Sequence, residues 1–194
     1  MGGMKEGAIY DPVREFALIE RLRNLCPDID AKALDAIYRE VISLCRAVQR
    51  RLRAACMGPA GSFSQEATIK ALGSHIDVVF VDGPQGVFDA IVREKADLGV
   101  VPVENTIEGT VYTSLDAFST APQDIRILSE VRLPIAHMLA TWQTSIDEVD
   151  EVYSHPQALA QCGLWLRTNL PRARQIPASS TSAAAAFVKG QRGK

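Results

Sequence analysis

From Arg53 onward the chain alternates short apolar runs with helical segments, and this alternation limits the possible folds more than any other feature. Strands read near Ala54–Met57, Val78–Val81, Leu98–Val103, Ile125–Leu128, Ile135–Ala140, Glu151–Tyr153 and Arg174–Ile176. Helical patterning lies between them, at Phe63–Leu72, Gln85–Lys95, Thr110–Ser119, Pro156–Asn169 and Ser182–Lys189. Parallel strands need long crossovers, and helices supply them. The alternation therefore predicts an α/β fold with a largely parallel sheet.

The N-terminal part reads differently. Asp11-Pro12 is a helix start, with Asp at the N-cap and Pro in the first turn, and Phe16, Ile19, Leu22 and Arg23 follow at helical spacing. That helix stops before Cys26-Pro27-Asp28-Ile29-Asp30. A second runs from about Ala31 to Arg51, with Leu34, Ile37, Val41, Leu44, Cys45 and Val48 on one face. Two helices with one stripe each need a further helix, a second subunit or the rest of the chain to bury them.

Ligands in open α/β sheets sit beyond the carboxyl ends of the strands. Four such ends are polar here. The run Leu98–Val103 stops at Glu104-Asn105-Thr106, followed by Glu108-Gly109. Ala54–Met57 leads into Gly58-Pro59-Ala60-Gly61-Ser62-Phe63-Ser64, where glycines allow close backbone approach and a helix start offers N–H groups to an anion. This segment lacks the lysine of a P-loop and the spacing of a dinucleotide fingerprint, so a carboxylate suits it better than a nucleotide. Ser154-His155-Pro156-Gln157 and Ala178-Ser179-Ser180-Thr181 repeat the pattern. Each cluster taken alone also reads as a capped strand–helix turn. Together they suggest a cleft suited to a small dianionic molecule.

Bulk properties narrow the classes. The chain is 47% hydrophobic and 23% charged, ordinary for a globular protein, and its net charge of -2 gives no support for nucleic-acid binding. Arg46, Arg50, Arg51 and Arg53 form a local basic run that reads as a solvated helix end. Four scattered cysteines without CxxC spacing, and three histidines without HxxxH spacing, argue against a metal site and a disulfide framework. They fit a reducing cytoplasm. No apolar run approaches bilayer-spanning length, so no membrane partner is expected.

Four motifs carry a family resemblance. GPAGSFSQEA at Gly58–Ala67, VPVENTIEG at Val101–Gly109, YSHPQALAQC at Tyr153–Cys162 and ASSTSAAAA at Ala178–Ala186 resemble prephenate dehydratase in letters, order and spacing. DPVRE at Asp11–Glu15 and VISLCRAVQ at Val41–Gln49 resemble the second and third helices of a chorismate mutase domain. This order is that of the bifunctional chorismate mutase/prephenate dehydratases. The resemblance implies a partial all-α mutase segment at residues 1–52. It places a dehydratase domain at 53–194 with two lobes, like a periplasmic binding protein, the second lobe at about 104–178. It implies conversion of prephenate to phenylpyruvate, water and carbon dioxide in phenylalanine biosynthesis, without metal or organic cofactor. Ser62, Ser64, Glu104, Asn105, Thr106, Ser154, His155, Gln157, Ser180 and Thr181 would bind prephenate. Asp11, Arg14, Glu15, Cys45 and Gln49 fall at the chorismate positions, with cysteine where serine is usual. Homo-oligomers follow from the same likeness.

The match implies truncation at both ends. Only ten residues precede Asp11, where the mutase family has a long first helix. The family's Thr-Arg-Phe motif, with its essential threonine, lies beyond the last residues here. Little or no turnover by this chain is therefore expected, and no single acid is assigned. The alternative is an inactive two-lobed module that binds prephenate or an aromatic acid. Arogenate dehydratase is a further option.

Overall fold

The structure is a computed structural model that describes residues 9–105 and 109–191. Strand β1 (Arg53–Met57) is the centre of a parallel three-stranded sheet, with β2 (Asp77–Val81) on one side and β3 (Leu98–Val100) on the other. Ala54, Ala55 and Cys56 are fully buried. Side chains alternate across a strand. Ala54 therefore joins Leu52, Leu72 and Ile76 on the face covered by helix α3 (Phe63–Leu72). Ala55 joins Val87, Ala90 and Ala96 on the face covered by α4 (Gly83–Val92). Small residues on the middle strand let both helices approach closely. A methyl placed on Gly99 would come 2.4 Å from Val87 Cγ1 and 2.9 Å from Ile91 Cδ1, so β3 is equally tight under α4.

After β3 the chain forms a small antiparallel hairpin of β4 (Glu104–Asn105) and β5 (Gly109–Thr110), then α5 (Tyr112–Thr120). Phe118 of α5 packs on Phe88 of α4, with ring centroids 6.1 Å apart. A second parallel pair follows, β6 (Glu151–Ser154) with β7 (Arg174–Pro177). Helices α6 (Pro156–Gln161) and α7 (Gly163–Asn169) cover one face through Leu159, Leu166 and Leu170 packed on Val152. Helix α8 (Thr181–Gly190) lies against β6, where Phe187 meets Tyr153 at 4.8 Å between ring centroids.

The mixed α/β architecture with parallel pairing agrees with the strand–helix alternation, and several details differ. The expected strands at Ile125–Leu128 and Ile135–Ala140 are irregular chain without a ladder. In the second run His137 pairs with Gln161 of α6 at 3.0 Å, and between the runs Arg132 O accepts from Lys70 Nζ of α3 at 2.6 Å. An apolar run becomes a strand only beside an edge that accepts its hydrogen bonds. The strand expected at Leu98–Val103 ends at Val100, since Val103 O instead accepts from Val111 N at 2.8 Å and closes the base of the hairpin. The helix expected at Pro156–Asn169 breaks at Cys162 into α6 and α7.

The two N-terminal helices, α1 (Pro12–Leu25) and α2 (Ala31–Gln49), form as expected. Asp11 Oδ1 accepts from Arg14 N at 3.0 Å and Asp30 Oδ1 from Ala33 N at 2.8 Å, so both are N-caps. Arg23 joins the helices through an Nε contact of 2.9 Å to Asp35. The orientation of α2 is the surprise. Its apolar stripe of Ile37, Val41, Leu44 and Val48 is exposed. Its polar residues Ser43 and Arg46 are buried, at 1% and 5% exposure. The basic run is therefore not one solvated helix end. Arg46 lies in the interior, while Arg50 and Arg53 share Asp97 at 3.0 Å each.

Two stability predictions follow from these contacts. Asp97 ties the starts of β1 and β3 together, accepting from Arg53 N at 2.9 Å while its own N–H donates to Arg53 O at 2.8 Å. Partial burial pushes its carboxyl up, but the Arg53 and Arg50 donors outweigh that and hold it at about 2. A carboxylate with a lowered folded pKa stabilises above its unfolded value and loses that contribution as pH falls through the folded one. Acid titration of stability should therefore show a loss between about pH 4 and 2 that Asp97→Asn abolishes. At neutral pH that variant should cost about 1–2 kcal/mol, allowing for the exposed arginines. Gly99→Ala should lower stability by about 2 kcal/mol through overpacking against Val87 and Ile91, read as a lower urea midpoint.

Candidate functional site

Parallel pairing sets the C-terminal ends of neighbouring strands side by side. Cys56 pairs with Val100, so the turn after β1 and the hairpin after β3 leave the same end of the first sheet. Ser154 pairs with Pro177, and Ala178 N donates to Ser154 O at 2.9 Å. The Ser154–Gln157 and Ala178–Thr181 clusters are thus adjacent at one end of the second sheet. A contact joins the two sheets: a methyl on Gly61 would lie 3.5 Å from Ser182 Oγ. The N-termini of α3 and α8 therefore meet, although about 120 residues of chain separate them.

Each of these starts is built by local hydrogen bonds. Ser62 caps α3, its Oγ accepting from Gln65 N at 3.3 Å and donating to Met57 O at 2.9 Å. Gly61, at φ +78°, turns its N–H onto Gln65 Oε1 at 2.6 Å. Glycine suits this left-handed conformation. Ser180 caps α8, accepting from Ala183 N at 2.9 Å. His155 caps α6, Nδ1 accepting from Gln157 N at 3.3 Å, so Nε2 carries the proton when the ring is neutral. Ser64 and Thr181 fall in the first turns of α3 and α8. Ser62, Ser64, Ser154, His155, Gln157, Ser180 and Thr181 thus all stand at strand ends or helix starts. The first-turn N–H groups and the helix dipoles favour a carboxylate there.

The hairpin residues are placed differently. Glu104 and Asn105 form β4 rather than a loop beyond a strand, and pair with Thr110 and Gly109. Glu104 is exposed, and Thr106 lies outside the described residues. A groove of about 480 Å³ runs beside α3, lined by Gly61, Ser62, Gln65, Glu66, Ile69, Lys70 and Leu133. Of the four clusters it touches only Gly58–Ser64.

The structure adds one residue that strand-end reasoning passed over. His137 sits edge-on to Phe63, with centroids 5.9 Å apart, while its Nε2 meets Gln161 Oε1 at 3.0 Å. It bridges the α3 start and α6. Its sequence neighbours are apolar, so only the path of the irregular segment between α5 and β6 brings it there.

The expected chorismate residues fall in two groups, Asp11, Arg14 and Glu15 at the start of α1 and Cys45 and Gln49 near the end of α2. Asp11 is engaged as the α1 cap. Glu15 is turned inward, and its Oε1 lies 3.3 Å from Arg46 Nη1. Burial pushes the Glu15 carboxyl up, and Arg46 opposes this. Arg14, Cys45 and Gln49 are exposed. Among the described residues no group of three or more His, Cys, Asp or Glu side chains gathers as a metal site. No described helix is long and apolar enough to cross a membrane.

Two family profiles match the chain. The prephenate dehydratase family profile matches residues 54–194, and the chorismate mutase type II profile matches residues 3–50. The bifunctional chorismate mutase/prephenate dehydratase of Aquifex aeolicus is 37% identical over 181 residues, covering 91% of this chain and 49% of that protein. The Neisseria gonorrhoeae protein of the same name is 37% identical over 187 residues, covering 94% and 50%. The crystal structure of prephenate dehydratase in complex with L-Phe from Arthrobacter aurescens superposes with a TM-score of 0.63 at 28% identity. It covers 73% of this chain and 47% of that one. The chain spans about half the length of the curated relatives it matches. With the profile matched across its whole α/β region, the chain belongs to the prephenate dehydratase family and carries a chorismate mutase segment ahead of the dehydratase region.

Proposed function

We propose that the α/β region binds prephenate at the junction of the α3 and α8 N-termini, as a cytoplasmic prephenate dehydratase-type protein. The observation that carries this reading is the approach of Gly61 to Ser182, which brings two capped helix starts together. Two helix starts suit a dicarboxylate, since each offers N–H groups and the positive end of a dipole to one carboxylate. Family membership supplies the reaction. The ring hydroxyl accepts a proton and leaves as water, the ring carboxylate leaves as carbon dioxide, and its bonding electrons complete the aromatic ring of phenylpyruvate. Stabilising that departure needs a proton donor near the hydroxyl and fixed partners for both carboxylates. Ser62, Ser64, Ser180 and Thr181 are proposed for the carboxylates. Ser154, His155, Gln157, Glu104, Asn105 and Thr106 are proposed for the remaining walls of a cleft between two lobes, the second at about 104–178.

A second reading, binding without conversion, is favoured by the same geometry. The hydroxyls of Ser62 and Ser180 accept helix N–H groups in caps, which suits holding an anion rather than delivering a proton. Calorimetry with prephenate at neutral pH, alongside an assay for phenylpyruvate, separates the two. Binding with product above the spontaneous rate supports the enzyme. Binding without product supports the module, and no binding sinks both. Ser180→Ala should weaken prephenate binding by about tenfold, the loss of one charge-assisted hydrogen bond.

The exposed stripe of α2 supports a homo-oligomer. Ile37, Val41, Leu44 and Val48 recur at alternating spacings of four and three, the seam of helices that pack on one another. Sedimentation of the native chain should show a self-associated species that Val41→Glu with Leu44→Glu converts to monomer. A native chain already monomeric at tens of micromolar or more would contradict this, because exposed patches of this kind drive association.

A further inference from the structure

Helix α2 presents its polar face to the α/β region, and the target of that face is one place, the end of α3. The last carbonyls of a helix lack partners within it. Here Arg39 Nη1 donates to Ala71 O at 3.0 Å, and Arg46 Nη2 donates to Leu72 O. Two cations at a helix C-terminus also complement its dipole. The chain then leaves α3 through Gly73, at φ +77°, and α2 holds that exit too. Glu40 accepts from Ser74 N at 3.0 Å and from Ser74 Oγ at 2.5 Å. Ser43 Oγ accepts from His75 N at 3.1 Å. A methyl on Gly73 would lie 2.4 Å from Ser43 Cβ and 3.1 Å from Arg39 O, so α2 touches the chain directly where it leaves α3.

Arg39, Ser43 and Arg46 stand at i, i+4 and i+7, one face of a helix. Arg46 is held from behind as well. Its guanidinium lies 5.2 Å from the Tyr10 ring centroid, and Glu15 of α1 is its ion-pair partner. An arginine so buried needs fixed acceptors, and a carbonyl of α3 is one of them. The apolar stripe that an amphipathic helix ordinarily buries is left outside.

We propose that α2 is a clamp on the dehydratase region. Its Arg39, Glu40, Ser43 and Arg46 cap and hold residues 71–75, so the mutase-like segment serves the α/β region as a mount, independent of any chemistry on chorismate. The consequence for function rests on the reading of Ser62 as an anion-binding cap. Helix α3 has that cap at one end and the clamp at the other, so the clamp fixes the register in which Ser62 meets its ligand.

Hydrogen exchange on the full chain tests the clamp without reference to ligand. Glu40 is 44% exposed, so Glu40→Ala leaves the fold intact. The variant should accelerate exchange of the Ser74 amide by about tenfold while β1 amides keep their protection. Arg39→Ala should speed exchange across residues 71–75, and Arg39→Lys should restore part of the protection. Unchanged exchange in Glu40→Ala and Arg39→Ala would overturn the proposal. So would equal acceleration throughout β1, which reports general destabilisation. Prephenate calorimetry on the same proteins keeps the two readings apart. Faster local exchange in a chain that binds no prephenate upholds the clamp and removes only the ligand assignment.

Discussion

The fold hangs on the packing of one strand. β1 has parallel neighbours on both sides and helices on both faces, and its Ala54, Ala55 and Cys56 have no exposed surface. Such a strand can satisfy its backbone only through both neighbours, and its small side chains fix how near α3 and α4 come. Burial pushes the Cys56 thiol pKa up, opposed by a hydrogen bond with Thr68 of α3. The same strand aims its carboxyl end at the turn that starts α3. The position of the candidate site is therefore a consequence of how this strand is buried.

Charge organises the ends of that core. Asp97 holds β1 to β3 through Arg53, and Arg50 joins it from the end of α2. Arg46 and Arg39, from the same helix, reach the far end of α3. A buried arginine is costly unless its donors find acceptors: the Leu72 carbonyl that α3 leaves unpaired takes Arg46 Nη2, Nη1 faces the Glu15 carboxylate at 3.3 Å, and Nε is buried without a hydrogen bond. This accounts for α2 turning a polar face inward, against the usual rule for an amphipathic helix.

Much of this was legible from residue patterns. The three strands of the first sheet, both strands of the second and nearly all the helices sit where period and capping place them, because those signals are local. Ser62, Ser180 and Asp11 act as caps, as their positions before helical runs suggest. The apolar runs at Ile125–Leu128 and Ile135–Ala140 misled, since strand character depends on a partner edge that an isolated run cannot specify. His137 was silent for the same reason, its role resting on Phe63 and Gln161 from other elements. Arg46 looked like part of a solvated basic run, because nothing local reports which face of a helix meets a carbonyl.

The amino-acid sequence by itself determined the α/β class, the places where polar groups end apolar strands, and the membership in the prephenate dehydratase family. Those follow from short-range periodicity and from motifs read in order. Tertiary structure alone decided that the starts of α3 and α8 meet at Gly61 and Ser182, and that α2 buries Arg46 rather than Val41. Both are contacts between segments far apart in the chain. Their energy depends on geometry in space, which no local pattern records.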